Sequence, residues 1–268
     1  MITKCIKQDF DTLVAYIGND YPKCLYLFLN LKKYSLDSQL IDVYVQKRDN
    51  NVKAILLKYY SCIHVYSREN DFNGRELVAF LIDLHFSMIY CRSETATQIF
   101  TLLPLEVKEK CVVERGWVAK LRQLDKPPQG LANAAMENDF EQIARLIFAD
   151  EDISLSYKYS ELMKQLKERN QEGYSRNLVI KDNETIVAHA CTNAEFENLA
   201  VVGELVVRKD FRRRGFASEI WRQLCGQLLK EGKEVFSFYY SDASRNLHKK
   251  IGFFEVCEWI KIVSPPVS

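Results

Sequence analysis

The sequence has almost no excess charge: 37 basic residues face 36 acidic ones, a formal net charge of +1. A surface without a long-range field does not draw in nucleic acid or an anionic membrane, so neither is expected as a partner. Paired cysteines are missing too. The eight, Cys5, Cys24, Cys62, Cys91, Cys111, Cys191, Cys225 and Cys257, stand singly with no CxxC among them. With His64, His85, His189 and His248 they form no zinc-like spacing. The opening stretch MITKCIKQDFDTLV has no apolar segment of the kind a secretory leader needs, and no apolar run is long enough to span a bilayer. Reduced, mostly buried thiols in a cytoplasmic protein are therefore expected. Low-complexity segments and exact internal repeats are also lacking. What is present is apolar material, 47% hydrophobic and 12% aromatic over 268 residues, enough for a sizeable core and for more than one typical domain.

The clearest break is Lys126-Pro127-Pro128-Gln129-Gly130. Two prolines and a glycine in a short polar stretch cannot continue a helix or a central strand. It predicts a domain over 1–125, a linker over 126–130 and a second domain over 131–268. In the first, helical spacing over 20–34 is followed by β-rich runs at 40–46, 52–59 and 61–66, with Asp49-Asn50-Asn51 as a turn. A helix over 75–84, a strand over 87–91 and a helix capped by Ser93 complete it. The second part has a short apolar run at 131–136, helices over 140–148 and 159–169, and strands over 177–181, 185–192 and 199–207. A basic turn over 208–215 opens a helix over 216–230, followed by a strand at 235–240, a short helix at 243–250 and a last strand at 253–263. The order hairpin, helix, strand, helix occurs in both parts. The fold class expected is α+β, a mixed, mostly antiparallel twisted sheet flanked by helices, with a smaller related domain in front.

The most informative stretch is Leu205-Val206-Val207-Arg208-Lys209-Asp210-Phe211-Arg212-Arg213-Arg214-Gly215-Phe216-Ala217-Ser218. A strand runs into a basic turn with one glycine, and a helix begins at once. The first amides of a helix lack intrahelical partners and carry partial positive charge, so they favour an anion. Gly215 admits a close backbone approach, small Ala217 keeps a second one open, and Arg212, Arg213 and Arg214 add charge-assisted bonds. The spacing is neither that of a nucleotide P-loop nor that of a three-glycine dinucleotide fingerprint. Read alone, it also suits a solvated basic turn.

A second element removes that ambiguity. Arg212-x-x-Gly215-x-Ala217 resembles the Gln/Arg-x-x-Gly-x-Gly/Ala pyrophosphate loop of the GNAT acyltransferase superfamily, with Leu205 and Val207 in the strand before it. Leu247-His248-Lys249-Lys250-Ile251-Gly252-Phe253 is similar to the superfamily's late Leu-Tyr-x-Lys-x-Gly-Phe element, at the right distance downstream. His189-Ala190-Cys191-Thr192 through Gly203-Glu204 looks like the two preceding strands of tandem bacterial members. The resemblance covers about 131–263.

The resemblance implies acetyl-CoA as co-substrate, no metal, and direct attack by a primary amine on the thioester. It implies that the backbone of Leu205, Val206 and Val207 pairs with the pantetheine arm. Amides of Arg213, Arg214, Gly215, Phe216, Ala217 and Ser218, with Arg212, hold the pyrophosphate. Cys191 and Cys225 are read as buried hydrophobes, not nucleophiles. The sequence departs from the family at His248, where a tyrosine usually protonates the leaving thiolate. Histidine is able to give up a proton near neutrality, and it also suits mere packing beside the coenzyme. Glu204 is the candidate base, with Glu195 and Glu197 as rivals. The front domain has acidic Glu69 and Asp71 in its corresponding turn, 67–74, and is expected not to bind coenzyme A. Two other readings remain: a non-catalytic acyl-CoA sensor, and an enzyme using longer or aromatic acyl groups, as glycine N-acyltransferases do. The amine acceptor and the oligomeric state are not legible.

Overall fold

The computed structural model describes residues 1–150 and 159–264. Its backbone contacts divide the chain into two compact units, one made of Met1–Val118 with the stretch from Val256 onward, the other of Ala119–Glu255.

The first unit begins with β1 (Ile2–Lys4), α1 (Phe10–Ile17) and α2 (Leu25–Lys33). A hairpin follows, β2 (Ile41–Arg48) and β3 (Asn51–Tyr59), turning at Asp49 and Asn50. Both turn residues have positive φ, 51° and 62°, the conformation whose twist matches a two-residue hairpin. Then come β4 (Cys62–Tyr66), α3 (Gly74–Asp83), β5 (Met88–Cys91), α4 (Ser93–Leu102), α5 (Leu105–Lys108) and β6 (Val112–Leu121), whose last residues already belong to the second unit. β4 and β5 run parallel, and the end of the final strand, β12 (Phe253–Val263), pairs antiparallel with β5 from Ile260↔Cys91 to Val263↔Met88. Alternate residues Ile63, Val65, Ile89, Cys91, Ile260 and Ile262 face one way and bury themselves against Leu77 and Leu81 of α3 and Ile99 of α4.

The second unit holds β7 (Asn133–Ala134), α6 (Phe140–Phe148), α7 (Tyr159–Gln171), β8 (Asn177–Asp182), β9 (Thr185–Phe196) and β10 (Leu199–Val207). After a basic turn come α8 (Phe216–Lys230), β11 (Glu234–Tyr239) and α9 (Asp242–Ile251). β7 to β10 form antiparallel neighbours, and β10 pairs parallel with β11. Phe140, Ile143 and Ile147 of α6 pack with Leu162 and Leu166 of α7 over Val179, Ile186 and Val206. Both units thus contain a mixed sheet with helices on it, and the order hairpin, strand, helix, strand, helix recurs.

Three features differ from the sequence reading. The contact boundary falls at Ala119, not at 126–130, and the final strand ends in the first unit because residues 260–263 find their ladder partner in β5. Ser93 is the first helical residue of α4, with Arg92 in the cap position and no side-chain cap bond. β1, α1, α5 and β6 were not anticipated. The polar break itself is tied down: on α8, Glu219 accepts from the amides of Gln129 and Gly130 (3.0 Å for the latter), and Arg222 makes two bonds to Asp125 at 2.8 and 2.9 Å.

Candidate functional site

In the second unit the two parallel strands part company. β10 and β11 are in register from Leu199↔Glu234 to Val202↔Ser237, and there the pairing stops although β10 continues to Val207. On its other edge β10 stays with β9, but the register shifts between Gly203 and Val206. Glu204 sits inside this bulge at φ 49°, a left-handed conformation costing a glutamate about 1–3 kcal/mol. The surroundings hold it there. Fully buried His189 donates from Nδ1 to the Glu204 carbonyl at 3.2 Å, and its Nε2 lies 3.0 Å from Asn177. A Cβ on Gly203 would lie 2.2 Å from Nδ2 of the Asn193 side chain, which would have to move to admit it. From Gly203 to Val207 the β11-facing edge of β10 therefore borders a slot; five residues of strand span ~17 Å.

The slot's outer end is the basic turn. A 3-10 segment, Lys209–Phe211, buries Phe211 between the guanidiniums of Arg208 and Arg214, each 4.6 Å from its ring. Arg213 (φ 64°) and Gly215 (φ 89°) are both left-handed, and α8 starts at Phe216. The first bond closing the helix runs from the Glu219 amide to the Gly215 carbonyl, 3.0 Å. Among the described residues the amides of 213–218 make no hydrogen bond, and a Cβ on Gly215 would meet nothing within 4 Å. An amide cluster at a helix start with alternating left-handed residues is a concave anion receptor.

The three arginines are not equivalent. Arg212 is turned back on the protein, with Nε donating to the Val207 carbonyl at 3.0 Å and Nη2 on Asp150 at 3.1 Å. Arg214 donates to the Asp210 carbonyl at 3.1 Å. Exposed Arg213 alone has no hydrogen bond or ion pair among the described residues.

His248 lies beneath the point where the strands part. Its Nδ1 is 2.7 Å from the Ser244 carbonyl and its Nε2 2.8 Å from Ser237 Oγ, which in turn lies 3.1 Å from the Val202 carbonyl. Trp221, Tyr239 and Phe253 surround the ring at 5.6, 4.9 and 5.0 Å. Burial lowers its pKa to about 4, so the ring is neutral at neutral pH. The proton must then sit on Nδ1, because a carbonyl only accepts, and Nε2 has none to give. This geometry does not suit the acid role expected of His248. The single hydroxyl proton of Ser237, a residue the sequence reading passed over, has two takers, Nε2 and the Val202 carbonyl.

Of the three candidate carboxylates, Glu195 is buried and bonded to Arg176 and Thr192, and Glu197 occupies a left-handed turn position. Glu204 is half-buried in the bulge, where it accepts from the Cys191 thiol at 3.5 Å. Burial, followed by the Glu204 charge, raises the Cys191 pKa well above the ordinary thiol value, and burial does the same for Cys225. Neither is a thiolate nucleophile. No group of three or more His, Cys, Asp or Glu among the described residues is arranged to hold a metal ion, and no described helix is long and apolar enough to cross a membrane.

The first unit has the same strand arrangement with a different outcome. β4 and β5 pair from Cys62↔Met88 to His64↔Tyr90. Beyond them Arg92 reaches across to the carbonyls of Ser67 (2.8 Å) and Arg68 (3.2 Å). The start of α3 is capped by its own Asn73, which accepts from the Glu76 amide at 3.2 Å, and Asp71 lies in the turn, paired with Arg48 and Lys53 at 2.7 and 2.5 Å.

Comparison with known proteins decides the family. Residues 138–253 match the model of the acetyltransferase (GNAT) family. This part of the chain is a GNAT domain. Solved GNAT structures share the fold well beyond it. A GCN5-related N-acetyltransferase-like protein from Streptococcus suis is 15% identical, with a TM-score of 0.63 over 96% of this chain and 99% of that one. A tandem GNAT protein from the clavulanic acid biosynthesis pathway is 10% identical, with a TM-score of 0.58 over 100% and 99%. A Drosophila protein, 12% identical, superimposes with a TM-score of 0.69 over 100% and 99%. At these identities the likeness is one of fold, and the tandem arrangement fits it. No curated protein matches the sequence.

Proposed function

We propose that the second unit transfers an acetyl group from coenzyme A to a primary amine. The observation that carries this reading is the coincidence of an unladdered strand edge, 203–207, with amides at 213–218 that have no partner among the described residues. Those amides and Arg213 hold the pyrophosphate. The backbone of Leu205, Val206 and Val207 pairs with the pantetheine amides as a strand would. Arg212, bonded to the Val207 carbonyl, braces the end of the strand rather than reaching the phosphates. Acetyl-CoA supplies the activated acyl carbon when bound.

Glu204 takes the proton from the amine, directly or through water, and the neutral nitrogen attacks the thioester carbon. The nitrogen, positively charged after the attack, gives its extra proton to water as the carbon–sulfur bond breaks, and the sulfur takes its proton from water, since neutral His248 has none on Nε2. Glu204→Gln tests the assignment: kcat for thiol release should fall roughly 100-fold or more, with calorimetric affinity for acetyl-CoA unchanged. A full-activity Glu204→Gln would remove it as the base. A screen of primary amines with acetyl-CoA, read by product mass, identifies the acceptor. A second reading, an acyl-CoA sensor without turnover, draws support from the same neutral His248. Binding without release of thiol for any amine in the screen would favour it.

A further inference from the structure

The geometry points to Ser237 and His248 as the residues that set the length of the acyl group, by closing the inner end of the coenzyme slot. This rests on the coenzyme reading above. With the pyrophosphate at 213–218 and the arm lying along 203–207, the thioester arrives at the pair Val202↔Ser237, where the strands rejoin. That end is tied twice: by the strand pairing and by Ser237 Oγ, 3.1 Å from the Val202 carbonyl. His248 stands directly behind the serine, 2.8 Å away, and is itself fixed by the Ser244 carbonyl at 2.7 Å.

The floor is solid. Ser237 and Trp221 are 1% exposed, Tyr239 3%, Phe253 4% and His248 5%, so the slot ends on packed side chains. An acyl chain longer than the slot allows has to displace them, and forcing extra methylenes into close-packed surroundings is resisted. The imidazole is the floor side chain bonded to the serine, and the serine hydroxyl supplies the tie. In this arrangement His248, occupying the family's tyrosine position, is a specificity-determining residue and not a proton donor.

Binding tests this without an acceptor. Calorimetry on the full chain with acetyl-, butyryl- and benzoyl-CoA should show acetyl-CoA bound about tenfold tighter than butyryl-CoA or more, with benzoyl-CoA weaker still. His248→Ala should close most of the butyryl gap, and Ser237→Ala should narrow it by a few-fold. Equal affinities of the unaltered protein for the three thioesters would overturn the assignment alone, whether or not the variants fold. So would an unchanged butyryl-to-acetyl ratio in a folded His248→Ala protein. Absence of binding for every thioester would remove the slot itself, and the coenzyme reading with it.

Discussion

The two units carry the same sequence of elements, yet each treats the gap between its parallel strands differently. In the first, Arg92 spans the ends of β5 and β4, and α3 begins with Asn73 accepting from the Glu76 amide and a carboxylate, Asp71, in the turn. In the second, β10 leaves β11 after Val202, and the amides at the start of α8 have no partner among the described residues. A parallel strand pair followed by a helix is thus not in itself a site. The two turns differ in what they offer an anion: the first has a side-chain cap and a carboxylate, the second leaves its helix-start amides without a partner among the described residues.

The largest test distorts the turn that sets the second unit apart from the first. Gly215 holds φ 89°, where a β-branched side chain is strained. Gly215→Val should lower coenzyme A affinity by roughly 10–100-fold in calorimetry; an undiminished affinity would mean that the turn does not hold the phosphates. Next comes an acid sensitivity rooted in the second unit. His189 and His248 are both lowered by burial from 6.5 to about 4, so the unfolded chain binds their protons before the folded one does. Their stabilising contribution is complete above pH 6.5 and lost as pH falls towards 4, up to about 3 kcal/mol per ring. Urea denaturation at pH 7 and pH 4.5 measures it, and His248→Gln should flatten part of the slope. The smallest effect is expected from Arg92→Ala. Opening that bridge leaves α3 capped, so calorimetry should still find one coenzyme A per chain; a second equivalent would show that Arg92 alone keeps the first unit silent.

The strand–turn–helix form of the basic segment was legible because its determinants are local. A glycine able to take a positive φ, a helix starting at Phe216 and a strand ending at Val207 lie within a few residues of one another. The first hairpin was legible for the same reason, through Asp49-Asn50. The role of His248 was not, because it depends on Ser237, Trp221, Tyr239 and Phe253, which approach it only in the folded unit. Ser237 offers no sequence signal at all. Gly203 did offer one, since a glycine inside a strand often marks a bulge, and here it adjoins the displaced Glu204. The membership of β12 was hidden for a different reason: strand partners distant in sequence leave no periodic trace in either segment.

That last strand has a consequence for synthesis. Residues 260–263 pair with β5 and bury Ile260 and Ile262 in the core beneath α3 and α4. On the ribosome the first unit emerges early but waits, one sheet edge open, until residues 260–263 have been made, while the second unit has its own core residues to hand sooner. The unit whose synthesis starts before the other is therefore the later one to be completed, and a truncation at the proline pair would strand it permanently unfinished.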